Sequence, residues 1–416
     1  MSISVIKKIA RQMISASVRY NVKQIMIRPI VKEMAKVKIE PYYQSNLLYG
    51  VNLIGPLRSA TGLGQSFRLL EKVWSGTQIP YYIVPFEGNT ENFEDDKAYA
   101  QKITKDLKCK INFWHINPSE FYKAYKEFGK KGFDGHYNIA FWLWEVEDFP
   151  SEWMAAINLL DEIWTPAEFI SQAIRKITDK PVYTLPYAVT AESNTKKYDR
   201  KYFGLPEDKF LYLMMYDTFS IKERKNPEGV ISAFKEAFEK ERDDVALVMK
   251  VNSASDEDWR YINNLIEPYK NVYFVDRNLS KIEVNSLIAD TDVFVSLHRS
   301  EGFGLVMAEA MLNHTTCIST NWSANTEFMN KDVACMVDYE MTTIEKFIPP
   351  YKKGYRWAEP DIHQAAEYMK KLADDREYCK ELSDLAYDYI TDKLSKEKAI
   401  QKIAVRIEQI CDRNEE

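Results

Sequence analysis

From Phe210 onward the chain alternates between two kinds of segment. FLYLMMYD, VALVMKVN, VYFVD, DVFVSLH and TTCIST are short and almost wholly apolar. Between them lie NPEGVISAFKEAFEK, SDEDWRYINNLIEPY, SKIEVNSLIADT and GLVMAEAML, whose apolar residues recur at helical spacing. A strand with no polar face must be covered on both sides, and the intervening helices are what cover it. The alternation therefore restricts this half of the chain to a parallel, doubly wound α/β sheet. Pro227 behind Asn226 suits the first turn of a helix.

The first half follows the same rule. Apolar strands are predicted in YGVNLIGPL from Tyr49, YYIVPF from Tyr81, KINFWHIN from Lys110, YNIAFWLWE from Tyr137, DEIWTP from Asp161 and PVYTLPYAV from Pro181. A loop, Arg58 to Gln65, and a helix from about Ser66 to Trp74 follow the first of them. The polar stretch Thr190 to Lys209 separates the two patterns, and 416 residues suit two domains of roughly 100–200 residues each. The expected organisation is a basic segment over 1–40, Rossmann-like domains over 41–190 and 191–375, and C-terminal helices over 376–416 that pack back towards the first domain. Open α/β sheets bind ligands outside the carboxyl ends of their strands, so two such domains would face a central cleft.

Charge narrows the function classes. The formal net charge of -6 gives no footprint for nucleic acid. Residues 1–39 depart from the rest, with nine lysines and arginines against Glu33 alone, interleaved with apolar residues from Ile3 to Val31. Such a segment can lie on an anionic membrane surface or pack as a terminal helix on its own domain. The five cysteines, Cys109, Cys317, Cys335, Cys379 and Cys411, are odd in number and show no CxxC spacing, which predicts free thiols and no zinc ribbon. No run of about 18 apolar residues and no signal-peptide pattern occurs, so a cytoplasmic location is expected, peripheral on the inner face of the membrane if residues 1–39 meet lipid.

The densest chemistry lies in HRSEGFGLVMAEAM, His298 to Met311. Glu301 follows a buried strand, Gly302 and Gly304 permit a tight turn, and a helix begins near Gly304. The N–H groups of Phe303, Gly304 and Leu305 would then meet an anion, while Glu301 and Glu309 accept hydrogen bonds from hydroxyls at either end of one ligand. A nucleotide sugar fits that arrangement. Two further positions lie at strand ends: the SATGLGQS loop with Gly62 and Gly64, and His115 at the end of KINFWH. Glu145, at the end of FWLWE, is a candidate for acceptor hydroxyls or a helix cap. Trp142, Trp144, Trp153 and Trp164 read as core.

EGFGLVMAE resembles the E-x7-E motif of family 4 retaining glycosyltransferases of the GT-B fold. WLWEVEDFPSEW, DEIWTPAEFI, ERKNPEGVISAF and WAEPD are similar to blocks in bacterial polysaccharide-building, mannosyltransferase-like members, and the resemblance covers about residues 49–375. It implies that Glu301 meets the donor sugar, Glu309 the ribose, and a basic pair the diphosphate. Arg224 and Lys225 match that pair best, with Lys222 a third choice. It also implies that the Gly62–Gly64 loop faces donor phosphate and acceptor, and that His115 contacts the donor sugar. Retention of configuration is implied by the resemblance alone. The expected donor is GDP-mannose or a UDP-sugar, and the expected acceptor a glycan or lipid-linked hydroxyl. No cofactor is expected, and no DxD-like pair stands at a strand end, so metal-independent transfer is expected. A nucleotide-sugar epimerase of the same fold and a non-catalytic scaffold binding glycan or a partner are the alternatives.

Overall fold

The structure, a computed structural model, describes residues 15–42, 45–59, 61–86, 97–189, 197–218 and 220–412. The first fourteen residues of the basic segment, with Lys7, Lys8 and Arg11, and Ala60 of the glycine-rich loop lie outside them. The chain forms two compact units. Unit 1 comprises Met1–Ala188, Thr343–Tyr355 and Lys396–Glu416, and unit 2 comprises Val189–Thr342 and Arg356–Ser395.

Unit 1 is built on six parallel strands: β1 (Leu48–Gly55), β2 (Tyr81–Pro85), β3 (Cys109–Trp114), β4 (Tyr137–Phe141), β5 (Glu162–Thr165) and β6 (Val182–Thr184). Their order is β2-β1-β3-β4-β5-β6. Unit 2 carries β7 (Phe210–Asp217), β8 (Val245–Asn252), β9 (Val272–Val275), β10 (Val293–Ser296), β11 (Thr316–Thr320) and β12 (Cys335–Val337), in the order β12-β11-β10-β7-β8-β9. Every pairing in both sheets is parallel. The strand β7 is buried along most of its length and pairs with β8 in register from Phe210↔Val245 to Asp217↔Asn252. That double-sided burial is why its sequence is apolar without alternation.

Each order reverses direction once. In unit 1 the chain steps from β1 to β2 on one side and to β3 on the other. In unit 2 the corresponding reversal falls between β7 and β10. The loops leaving two neighbouring strands in opposite directions open a crevice at such a point. The residues that follow β1, β3, β7 and β10 therefore stand at these crevices.

The C-terminal helices divide between the units. The helix Arg376–Lys393 stays with unit 2, and Lys396–Asp412 belongs to unit 1, so the boundary expected at 375 lies at 395 instead. Two contacts explain the second placement. Gly76 leaves room that Ile400 occupies, because a Cβ there would stand 2.4 Å from Ile400 Cδ1. Arg406 makes a two-pronged pair with the fully buried Glu162 of β5, Nε to Oε1 at 2.8 Å and Nη2 to Oε2 at 2.6 Å. Glu162 also accepts from Tyr137 Oη at 2.9 Å and Trp164 Nε1 at 2.9 Å, so its oxygens are well satisfied. All five cysteines are free thiols. Among the described residues no helix is long and apolar enough to cross a membrane.

Removing one partner of a buried pair strands the other charge. Arg406→Ala is therefore expected to cost unit 1 about 3 kcal/mol. Six of the nine tryptophans lie in unit 1, so urea unfolding followed by tryptophan fluorescence checks this. An unchanged midpoint would contradict it.

Candidate active site

In unit 2 the chain leaves β7 at Asp217 and forms one short helical turn, Lys222–Lys225. Asn226 ends that turn with a left-handed backbone, φ 52°, and caps the next helix, Pro227–Ala237, by accepting from Gly229 N at 3.1 Å. Its side-chain amide donates to Leu297 O at 2.9 Å, beyond the end of β10. Two more bonds lock the turn to the loop after β10. Arg299 N donates to Arg224 O at 2.8 Å, and Arg224 Nη1 donates to Ser300 O at 2.8 Å. The basic turn and the acidic loop are thus one rigid piece, assembled across the reversal of the sheet.

Glu301 stands at its centre. It is 7% exposed, and its Oε2 lies 3.1 Å from Arg224 Nη1 while Lys225 Nζ contacts Oε1. Its own N–H donates to Ser323 Oγ at 2.8 Å. Burial opposes ionisation, but Lys225 and Arg224 outweigh it and hold the carboxyl well below the ordinary range. Glu301 is therefore a carboxylate at any working pH. One carboxylate against two guanidinium and ammonium groups leaves one positive charge over, which suits an anionic ligand.

The loop continues through Gly302 and Phe303, both buried, with Phe303 packed on Phe328 at 5.0 Å between ring centres. Gly304 has φ 97° and precedes the helix Leu305–Leu312. Only glycine adopts that backbone without strain, and a Cβ there would stand 2.3 Å from Met307 Cε. Gly304, Leu305 and Val306 are partly exposed, so this helix start, with its first N–H groups beyond any intrahelical acceptor, opens outward. Glu309 sits in the second turn, 7% exposed, and contacts Lys281 Nζ at the start of the helix Lys281–Ala289. Lys222 points elsewhere, its ammonium 4.3 Å from the centre of the Tyr261 ring.

The predicted residues thus fall into two groups. Arg224, Lys225, Glu301, Gly302, Phe303, Gly304, Leu305 and Glu309 come together in unit 2, whereas Lys222 faces Tyr261. Gly62, Gly64, His115 and Glu145 belong to unit 1. There the glycines lie within the first turn of the helix Gly62–Trp74, so that helix begins four residues ahead of the expected Ser66. Gly64 is required by packing, because a Cβ would meet Ser59 O at 2.0 Å, while Gly62 faces open space. His115 has no exposed surface. Its Nε2 lies 2.6 Å from Ser66 Oγ, which in turn contacts Tyr187 Oη, and its ring stacks on Phe141 at 5.3 Å. Its Nδ1 has no hydrogen-bond partner among the described residues. Burial pushes its pKa down to about 3, so the ring is neutral. Glu145 accepts from Tyr351 Oη at 3.0 Å, a residue of the segment that returns to unit 1 from unit 2.

Three residues that shape the acidic loop carry no sequence signal of their own. Arg299 pairs in two places with Glu359, at 2.6 and 2.8 Å, and also contacts Glu223 O, which ties the WAEPD block to the basic turn. Ser323 fixes Glu301 through its backbone. Lys281 meets Glu309 from another helix. Among the described residues no group of three or more His, Cys, Asp or Glu side chains is gathered to hold a metal ion.

Residues 196–389 match the family described as glycosyl transferases group 1. No curated protein gives a significant match. Among solved structures the chain is similar to HepE of Anabaena in complex with UDP-glucose, with 12% identity and TM-score 0.62 over 87% of this chain and 100% of that one. It is similar to the sucrose-phosphate synthase of Thermosynechococcus elongatus, with 12% identity and TM-score 0.63 over 88% and 100%. It is also similar to TarM of S. aureus, with 14% identity and TM-score 0.53 over 71% of this chain, and it spans 55% of that chain. The two parallel sheets thus have the GT-B fold, and the match to group 1 glycosyl transferases falls on residues 196–389, which hold all of β7 to β12.

The neutral state of His115 has a measurable consequence. Between pH 6.5 and about 3 the unfolded imidazole binds a proton that the folded one does not. Unfolding therefore takes up protons in that window, and stability rises with pH there. Lowering the pH from 7 to 5 should cost about 2 kcal/mol through this residue alone. In His115→Phe the drop between those two pH values, read from urea midpoints, should shrink by that amount. An identical drop in both proteins would contradict a buried neutral ring.

Proposed function

We propose that the protein transfers a sugar from a nucleotide-sugar donor to a hydroxyl of a glycan or lipid-linked acceptor, with retention of configuration and without a metal ion. The observation that carries this reading is the buried Glu301 held between Arg224 and Lys225, at the reversal of the sheet and inside the segment that matches group 1 glycosyl transferases. In this reading unit 2 binds the donor. Its diphosphate meets Lys225, Arg224 and the N–H groups at the start of Leu305–Leu312. Glu301 accepts hydrogen bonds from sugar hydroxyls, and Glu309 from the ribose.

The reaction breaks the bond between the sugar's anomeric carbon and the diphosphate oxygen, and it forms one to the acceptor oxygen. The departing phosphate takes the acceptor's proton on the same face. No side chain then has to act as nucleophile, and the protein's contribution is placement and stabilisation of the developing negative charge. His115, a buried neutral ring, has a positioning role in this scheme, through its contact with Ser66. Glu145 belongs to the acceptor side.

The first donor to test is a UDP-sugar, because HepE is solved with UDP-glucose. GDP-mannose is the second. A thermal-shift screen of UDP, GDP and their sugars without added metal should raise the midpoint with one base. A ligand at 100 times its dissociation constant adds roughly 2.7 kcal/mol of stability. No shift with any nucleotide would contradict the donor site.

Charge stabilisation of this kind is worth about 100-fold or more in kcat per group removed. Lys225→Ala should therefore lower transfer by at least that factor, and Glu301→Gln should abolish it. Undiminished transfer in either variant would remove that residue from the mechanism.

A further inference from the structure

The helix Ala16–Met34 is an anomaly within unit 1. It runs for 19 residues, yet only Met34 is buried. Its inward side is fixed by polar contacts: Tyr20 Oη to Glu152 at 2.9 Å, Lys23 to Glu120 at 2.7 Å, and Asn158 Nδ2 to Met34 O at 2.8 Å. An apolar row runs along its outward side. Val18, Val22, Ile25 and Met26 are 50%, 49%, 71% and 76% exposed, and Pro29 continues the same stripe. At 3.6 residues per turn these positions share one face. Arg19 and Lys23 fall on one flank of that stripe and Arg28 and Lys32 on the other. The helix's one acidic residue, Glu33, accepts from Tyr125 Oη at 2.8 Å.

Beside the helix lies a cavity of about 650 Å³, lined by Val22, Met26 and Ile30, by Tyr122, and by Lys126 of the neighbouring helix. Exposed aliphatic side chains in a continuous row are unfavourable in water. Cations on both edges of the row, with one engaged acid between them, call for a negatively charged cover. A second copy of this chain would set those cations against each other. A helix of this length with a charged border lies in the plane of a lipid surface, with its apolar stripe at the acyl boundary.

We propose that Ala16–Met34 is a membrane-docking helix that seats unit 1 on an anionic bilayer, with its apolar crest and the adjoining cavity accepting acyl chains. Arg28 and Lys32, on the flank away from Glu120, meet lipid phosphates, and the docked face is opposite the side held by Glu152, Glu120 and Asn158. This inference is independent of the transfer reaction.

The test is co-sedimentation of the full chain with phosphatidylcholine vesicles, with and without phosphatidylglycerol. The intact protein should sediment only with the anionic vesicles, and added salt should weaken it. Ile25→Glu with Met26→Glu, at two exposed positions, should lower partitioning by about tenfold or more without moving the thermal midpoint. Arg28→Glu with Lys32→Glu should do the same. Val405→Glu, at an exposed apolar position on another helix of unit 1, should leave binding intact. Three results would overturn the proposal. One is no sedimentation of the intact protein. Another is undiminished sedimentation of the Ile25→Glu, Met26→Glu variant, which would place any lipid contact in residues 1–14. The last is a dimer in size-exclusion chromatography that this variant dissociates, which would make a second copy the cover.

Discussion

A buried carboxylate facing two cations joins the exits of two neighbouring strands in unit 2. Glu301 is almost removed from water, and it stays ionised only because Arg224 and Lys225 face it. Neither element would hold its place alone. The turn Lys222–Lys225 is a single helical turn, too short to persist without tertiary support. It is pinned by Asn226 to Leu297, by Arg224 to Ser300 and by Arg299 to its backbone. The charges therefore form the last contact of a backbone lock that joins the exits of β7 and β10.

The parallel sheet explains why the lock lies where it does. Strands without a polar face need helices on both sides, and that forces the order to reverse somewhere. In unit 2 the reversal brings Arg224 and Lys225 beside Glu301. In unit 1 it brings the helix Gly62–Trp74 beside His115, whose N–H donates to Ile54 O of β1 at 2.8 Å. Each unit thus presents its chemistry-bearing residues at the same topological position, although the two strand orders differ. The Ser66 contact to His115 is a direct product of that neighbourhood.

What could be read from the sequence was what short-range pattern encodes. FLYLMMYD and VALVMKVN match β7 and β8 residue for residue, because strands covered on both sides leave no ambiguity of period. The Glu301–Gly304–Glu309 grouping was legible because all its members lie within one strand-loop-helix passage. The glycines at 62 and 64 were legible as a turn but not as helix. Their place in the first turn depends on Ser59 O, which only the fold brings close. Lys281 opposite Glu309 and Arg406 opposite Glu162 were invisible, since nothing local links residues so far apart in the chain. The same holds for the return of residues 343–355 to unit 1, where Tyr351 meets Glu145 and Lys352 meets Glu152 at 2.6 Å. Burial of His115 was likewise illegible, because a strand-end histidine reads alike whether it faces solvent or Phe141.

In the proposed function the pair of cations around Glu301 recognises a diphosphate. The most direct measurement is calorimetric titration of the protein, in a chelator, with UDP and with uridine. UDP should bind at least about 100-fold more tightly than uridine, and Lys225→Ala should abolish most of that difference, since charge-assisted contacts to phosphate are among the strongest available. Equal affinity for the two ligands, or a difference that survives Lys225→Ala unchanged, would contradict it.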